Sequence, residues 1–489
     1  MNSTTPAAEA PSLPHVLVVG GGIAGLAAAA RLAGADGSAA RARVTLLEAG
    51  PTLGGKLRTG EVGGVAVDLG AESMLARRPE AVTLARAVGL ADALEPPTTA
   101  KAAIWTRGAL RPMPTGHLMG VPGDLDALAA SGVLSPEGLA RAAEDETLPR
   151  TEVGQDIAVG EYVAARLGRE VVDRLVEPLL GGVYAGNADR ISLSAAVPQL
   201  LAIAQRDRSA IEGVRAALSA AAKAASSKSA NPAPVFMGID GGIGRLPVAV
   251  AEACGKAGVT VRTDTPVGSL RRTADGWTAS LPGGEALAAD AVVLAVPANV
   301  AARLLAPHAP RAAAELGEVE YAGMALVTLA FRRSDVGALQ GSGFLVPPVD
   351  GRSIKASTFS SNKWGWLDRS APDTFVLRTS LGRHGEEAVL DHDDADLIER
   401  SLIDLRAAAG ITARPYAHTV TRWRGGLPQY PVGHPERVAR IEAEVAALPG
   451  LALCGAAYHG VGIPACIGSA WRAVDLVTEA LRAGETMSA

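Results

Sequence analysis

Two stretches of the chain carry the residue types that could hold a long phosphorylated ligand. The first is GGGIAG, residues 20–25, where Gly20, Gly22 and Gly25 stand in the spacing G-x-G-x-x-G, after the apolar run HVLVV and before the helix-forming run GIAGLAAAARLAG. Gly20 permits a tight turn, Gly22 lets backbone approach a pyrophosphate, and Gly25 lets the helix close on the sheet. The start of that helix, with Ile23 and Ala24, offers N–H groups and a partial positive charge to phosphates. Glu48, followed by Ala49, ends the next apolar run, where a carboxylate would accept hydrogen bonds from ribose hydroxyls. The second stretch is AAYHGVGIPACIGSAW, residues 456–471, again a glycine-rich loop running into a helix.

The residues just past Glu48 separate the cofactor classes. LEAGPTLGGKLRTG adds Gly54 and Gly55, then Lys56 and Arg58. A nicotinamide dehydrogenase needs no such pair, whereas glutathione-reductase-type and amine-oxidase-type flavoenzymes carry one. Arg58 offers a fork to phosphate or to flavin carbonyls. VAVDLGAESM, with Gly70, Ala71, Glu72 and Ser73, resembles the segment that lines the flavin in those enzymes. Val267, in TPVGSL, would pair its backbone with adenine, and Trp423, in TRWRGG, joins the cofactor set. FAD is long enough to need both glycine loops. Gly455, Val461, Gly462 and Ile463 would set N–H groups and a helix end at the flavin N1–C2=O edge, which becomes anionic on reduction, so they favour the reduced product.

The elements that must position these residues are expected as strands over 15–19 and 42–49 around a helix over 22–34. A helix is expected from Pro79 to about Leu94, and helices dominate 120–225. A second strand–loop–helix–strand unit opens at VFMGIDGGIGRLP, and a buried strand lies in DAVVLAVPANV. Strands alternate through 320–380, a helix covers about 393–409, and a strand–loop–helix closes the motif series. The low-complexity stretch 216–234 reads as a helix followed by a linker. The fold class is α/β (α+β). A discontinuous Rossmann-like FAD-binding domain spans 12–75, 234–300 and 448–489. A mixed-sheet substrate domain spans 76–102 and 301–447, and a helical cap domain spans 103–233.

The bulk numbers fit that plan. The chain has 489 residues, 48% hydrophobic and 20% charged, with a net charge of -5 that argues against a nucleic-acid partner. The first fifteen residues lack a basic start and an apolar core, so they read as a disordered tail, not a secretory signal. No apolar run is long enough for a transmembrane segment. Three cysteines without paired spacing suggest a reducing, cytoplasmic setting, and eight histidines without ligand spacing suggest no metal.

The motifs together resemble the protoporphyrinogen/coproporphyrinogen oxidase family of the FAD-dependent amine-oxidase superfamily. VVGGGIAGLAAA and LEAGPTLGGKLRT are shared across the superfamily; EPLLGGVYAGNADRISL, FSSNKW and LPQYPVGH are more specific, and are most similar to the soluble Gram-positive-type coproporphyrinogen III oxidases. Ala465 departs from the aspartate common in the family's terminal motif. The resemblance implies three two-electron oxidations of a porphyrinogen, with hydride passing to flavin N5, O2 as acceptor and H2O2 as product, in haem biosynthesis. It identifies no acid–base residue. The alternatives are a protoporphyrinogen IX oxidase of the same fold, an amine or polyene oxidase, and a flavin-containing porphyrin-binding protein without turnover. A ferrochelatase-like enzyme is the implied recipient of the product, and the oligomeric state is left open.

The substrate of such an enzyme is an apolar disc with carboxylate arms, so the cleft needs local cations. Arg77 and Arg78 in LARRPE, and Lys355 and Lys363 in RSIKASTFSSNKWGW, are the chosen candidates, with Arg422 and Arg424 behind them. For Trp364, Trp366 and Tyr184, core packing is preferred over contact with the disc, and for His459 a structural role over proton transfer. The cap carries Asp124, Asp126, Glu137, Glu144, Asp145 and Glu146, ill suited to an anionic bilayer surface, so at most peripheral membrane association is expected.

Overall fold

The computed structural model describes residues 13–226 and 234–488. The expected N-terminal tail lies outside them up to residue 12, and the expected linker lies outside them over 227–233.

The first sheet is five-stranded and parallel, in the order Thr260–Arg262, Arg43–Leu47, His15–Val19, Ala291–Leu294, Leu451–Leu453. The strands inward of the edge strand Thr260–Arg262 are short, mostly apolar runs because both faces are covered. Val16 and Val18 pack against one set of helices, and Leu17 and Val19 enter a second core with Trp277, Leu304 and Ile441. The alanine-rich helix Ile23–Ala33 presents so little side chain that it fits between the sheet and the helices Arg245–Lys256 and Ile463–Ser488.

The second sheet has seven strands, in the order Ala417–Pro428, Tyr321–Arg332, Thr374–Leu381, Ile354–Thr358, Gly343–Leu345, Ala103–Thr106, Ala109–Pro112. One face is sealed by the helix Asp394–Ala409, whose Leu397, Leu402 and Leu405 meet Phe331, Leu377 and Ile354. On the other face Arg378, Ser380, Ala356 and Thr358 are only half-buried. The helical unit expected over 103–233 thus gives its first two strands to this sheet, and its helices begin at Leu125. Their core includes Tyr162, Leu175, Leu180 and Leu200, and a buried ion pair, Arg166 Nε to Asp145 at 2.6 Å, ties them together.

Two expectations need correction. Phe236–Ile239 does not enter the parallel sheet; it pairs antiparallel with Met74–Leu75 and Leu94–Glu95. The strand slot beside Arg43–Leu47 is filled by Thr260–Arg262, which leaves Phe236–Ile239 to pair at a different edge, with Phe236 40% exposed. The helix begun at Pro79 stops at Ala87, because Gly89 takes a positive φ of 85° and turns the chain into a short separate turn at Ala91–Ala93. The three cysteines are free and buried, and no helix among the described residues is long and apolar enough to cross a membrane.

Candidate cofactor and substrate site

The strands His15–Val19, Ala291–Leu294 and Leu451–Leu453 are parallel neighbours, so the segments after Val19, Leu294 and Leu453 leave from one edge of the sheet. That carboxyl edge is where open α/β sheets receive ligands. Gly20 has φ 106°, and a Cβ there would lie 2.4 Å from the Ala295 carbonyl; one on Gly25 would lie 1.8 Å from the Gly20 carbonyl. Close packing therefore dictates both glycines. A Cβ on Gly22 would meet no protein atom within 4 Å. The space in front of Gly22, at the start of the helix Ile23–Ala33, is the cradle a pyrophosphate would fill.

The second glycine pair closes on the first loop. Gly54 N donates to Gly21 O at 2.8 Å, and a Cβ on Gly55 would stand 3.3 Å from Gly22 Cα. Glu48 braces the same loop: its carboxylate accepts from Gly21 N at 2.7 Å and from Gly50 N at 2.8 Å. It remains partly accessible, with Ala49 exposed beside it.

At the other end of the site, the helices Ile23–Ala33 and Ile463–Ser488 share one core through Ala24, Ala27, Ile463, Ile467 and Ala470, and Arg31 lies 5.2 Å over the Trp471 ring. The two glycine loops are thereby held together. Two of their amides are already used within the protein, contrary to expectation for Gly455: its N–H donates to Ser469 Oγ at 2.9 Å, and Gly460 N–H donates to the Tyr430 hydroxyl at 2.9 Å. Val461 and Gly462 stay accessible at the start of the helix, beside buried Ile463.

Tyr430 was legible only as part of LPQYPVGH, and it organises this end. Its hydroxyl also donates to the Ala456 carbonyl, and its ring stacks on His434 with centroids 3.9 Å apart. His434 Nε2 donates to the Tyr458 carbonyl at 2.9 Å, and burial lowers this histidine to about 4, so it is neutral. The neighbouring Gln429 donates to the Tyr184 carbonyl at 2.8 Å, and Ser192 N–H to the Tyr430 carbonyl at 2.8 Å. One short motif thus joins the flavin-side loop to the helical unit.

Lys56 is accessible yet enclosed by protein; desolvation lowers its pKa, and its Nζ lies 5.9 Å from the Tyr321 ring centroid. Arg58 lies 5.4 Å over Trp423, whose Nε1 donates to Leu69 O at 2.8 Å. Gly70 is buried, with room for no Cβ because Lys56 O would lie 2.1 Å away, while Ala71 is exposed and Ser73 half-buried. Val267 is a core residue whose carbonyl accepts from Arg303 at 3.2 Å, which leaves less of its backbone for a base than expected.

Glu72 turns inward. Its carboxylate sits 2.6 Å from Lys363 Nζ and 3.1 Å from Arg378 Nε. Burial alone would raise Glu72, but the Arg378 and Lys363 charges overcome it and hold the group below its ordinary value. Lys363, expected at a substrate carboxylate, is therefore committed to an internal one. Arg378, missed in the sequence, also donates to the Gly70 carbonyl at 2.7 Å; its signal was a charge directly after the apolar run FVL within a strand.

Among the remaining cations, Arg78 pairs with Glu80 at 2.5 Å and Arg77 is exposed. Arg422 and Arg424 hold the segment around Leu390 through its carbonyl. Lys355 is buried, and its Nζ has no hydrogen-bond partner among the described residues. Trp364, Trp366 and Tyr184 are buried, and His459 pairs with Glu442 at 2.6 Å on the surface.

The empty space before Gly22, two helix starts facing one sheet edge, and the cations Lys56 and Arg58 suit FAD, whose ring supplies redox chemistry that side chains lack.

The chain matches the family model of flavin containing amine oxidoreductase over residues 23–478. It is 37% identical to the coproporphyrinogen III oxidase of Mycobacterium leprae (strain TN), covering 94% of this chain and 97% of that one. It is 34% identical to the coproporphyrinogen III oxidase of Bacillus subtilis (strain 168), again covering 94% and 97%. A crystal structure from Exiguobacterium sp. 255-15, assigned as a protoporphyrinogen oxidase, superposes with a TM-score of 0.82 at 34% identity, over 96% of this chain and 99% of that one. With the glycine loops, the cradle before Gly22 and this full-length similarity, the chain belongs to the flavin containing amine oxidoreductase family, in its protoporphyrinogen and coproporphyrinogen oxidase branch, as an oxidoreductase with FAD as its cofactor.

Proposed function

We propose that this enzyme oxidises coproporphyrinogen III to coproporphyrin III, with O2 as the acceptor. The observation that carries the reading is the similarity, over nearly the whole chain, to two coproporphyrinogen III oxidases. The half-buried face of the seven-stranded sheet supports it: Ala356, Thr358 and Ser380 leave room for an apolar disc, next to the cofactor segment that Arg378 and Trp423 hold.

Three two-electron steps convert the porphyrinogen to the porphyrin; six electrons and six protons pass to three O2, giving three H2O2. When bound, FAD supplies the two-electron acceptor for hydride leaving a bridge carbon. The chain's part is positional and electrostatic. The backbone around Gly22 and the start of the helix Ile23–Ala33 bind the pyrophosphate. Glu48 takes the ribose hydroxyls. Val461 and Gly462, at the start of the helix Ile463–Ser488, would offer N–H groups to the ring edge that gains negative charge on reduction. The sheet face and the helical unit would shield the ring from water.

The test is anaerobic mixing of the FAD-loaded protein with coproporphyrinogen III and, separately, with protoporphyrinogen IX, followed by air. The flavin band near about 450 nm bleaches with coproporphyrinogen III, returns with air, and one H2O2 appears per O2 consumed. Bleaching with the dicarboxylate alone moves the assignment to protoporphyrinogen; bleaching with neither removes the reading.

A further inference from the structure

Lys355 is the extra residue of an irregularity in the strand Ile354–Thr358. Ile354 pairs with Leu381 and Ala356 with Ser380, so Lys355 stands opposite no residue of that neighbour. Its own carbonyl accepts from Val346 N at 2.9 Å, which fixes the backbone. The side chain is 6% exposed, and no group among the described residues hydrogen-bonds the ammonium. Burying an ammonium without a partner is costly, and folded proteins pair such charges or neutralise them.

The surrounding charges do not supply that partner. Arg383, 8% exposed, donates to the Val346 carbonyl at 3.1 Å and reaches Glu386 at 3.4 Å. The Glu386 side chain is 57% exposed and points its charge at Arg383. Glu177, on the helix Glu177–Tyr184, accepts from Ala188 N–H, and burial raises its pKa. Asp404, from the helix Asp394–Ala409, accepts from Ser353 and Ile354 N–H groups at 2.8 and 3.0 Å. Each carboxylate nearby is engaged elsewhere, and two buried cations lie together.

The helix Glu177–Tyr184 packs near this strand and leaves its side of the gap bare. A Cβ on Gly181 would meet nothing within 4 Å, and one on Gly182 would meet only Leu345 Cδ2 at 3.8 Å. The sheet residues across from it, Leu345 and Ala356, are half-buried. Open space beside Gly181 and Gly182 thus lies between that helix and the strand that carries Lys355, a cation that no carboxylate among the described residues hydrogen-bonds.

We propose that Lys355, with Arg383 beside it, is the subsite for one carboxylate arm of the substrate. The assignment rests on the porphyrinogen reading and adds where an acid group of that substrate is recognised. Lys355 also makes binding depend on pH. Burial, aided by the Arg383 charge, lowers it to about 7 in the empty protein. A carboxylate placed beside the ammonium raises it again. Below pH about 7 the lysine is already protonated and affinity is full; above it, binding must take up a proton, and affinity falls by up to about tenfold per pH unit.

The experiment titrates the FAD-loaded full chain with coproporphyrin III and with its uncharged tetramethyl ester, from pH 6 to 9, for the wild type, Lys355→Met and Lys355→Arg. Wild-type affinity for the acid falls above neutral pH, and affinity for the ester does not change. At pH 6, Lys355→Met binds the acid about tenfold to a hundredfold more weakly, without the wild-type pH dependence, and binds the ester as the wild type does. Lys355→Arg keeps the affinity and loses the pH dependence. Thermal melts accompany each variant; methionine at a desolvated, unpaired lysine folds at least as stably. If the wild type binds the acid and Lys355→Met matches it, or loses the ester equally, the subsite is overturned while the porphyrinogen reading stands. A wild type that binds neither porphyrin and oxidises no porphyrinogen overturns both.

Discussion

The Tyr430 hydroxyl accepts the Gly460 N–H at 2.9 Å and donates to the Ala456 carbonyl, so one buried side chain closes the loop between the strand Leu451–Leu453 and the helix Ile463–Ser488. Tyr430→Phe keeps the ring stacked on His434 and removes both bonds. Leaving two half-buried polar groups unsatisfied costs up to about 1–3 kcal/mol each. The expected outcome is a lower melting temperature and an FAD dissociation constant raised about fivefold or more, read by titrating apo-protein with FAD. An unchanged constant takes Tyr430 out of loop positioning.

Gly22 and Gly25 separate binding from folding. A Cβ on Gly25 collides with the Gly20 carbonyl, so Gly25→Ala is expected to be insoluble or strongly destabilised. Gly22 has extended backbone, φ -71° and ψ 177°, and open space before it. Gly22→Ala should fold with the melting temperature of wild-type apo-protein and bind FAD at least about tenfold more weakly, because the methyl occupies the phosphate position. Equal FAD affinity in Gly22→Ala would move the pyrophosphate elsewhere.

In the triad Glu72, Lys363 and Arg378 the carboxylate is buried and the two cations half-buried over it. Glu72→Gln leaves two cations without their carboxylate and should cost about 3–5 kcal/mol. Adding Lys363→Met to it should restore part of the loss, since one stranded charge then disappears. Denaturant melts of the single and double variants measure this. A double variant less stable than the sum of the single losses contradicts the charge argument.

Asp68 accepts N–H bonds from Ile243 at 2.9 Å and Gly244 at 3.1 Å, yet burial outweighs them and raises it to about 6. Its folded value thus lies above the unfolded one, so the native state holds a proton that the unfolded chain has released between pH about 4 and about 6. Stability from this group falls as pH rises through that window, by about 3 kcal/mol for a two-unit shift. Asp68→Asn cannot titrate and should gain on the wild type as pH rises from 4.5 to 6.5 in paired thermal melts. A constant difference between the two would show that Asp68 does not titrate there.

Both glycine loops, the helix after each and the strand before each were legible because close backbone packing admits glycine alone at Gly20 and Gly25, and such constraints are local. The destination of Phe236–Ile239 was not legible, since pairing depends on which sheet edge is free, and a short apolar run carries no record of that. Side-chain partners were the least visible. Lys355 and Lys363 sit eight residues apart in the sequence, yet Lys363 meets Glu72, almost three hundred residues away, and Lys355 hydrogen-bonds no acid among the described residues. Arg378 and Tyr430 were missed for the same reason: their importance lies in Glu72 and Gly460, and nothing nearby in the chain announces either.

The edge strand Leu451–Leu453 is translated more than four hundred residues after its sheet mate's neighbour His15–Val19. At about 5–20 residues per second, the ribosome works for roughly 20 to 90 s between them. Throughout that interval the nascent N-terminal half displays Val16, Val18 and the alanine face of Ile23–Ala33 without the helix that later covers them. Capture of the nucleotide at both glycine loops therefore waits for the last strand and helix, and until then the unfinished sheet is an apolar surface open to aggregation.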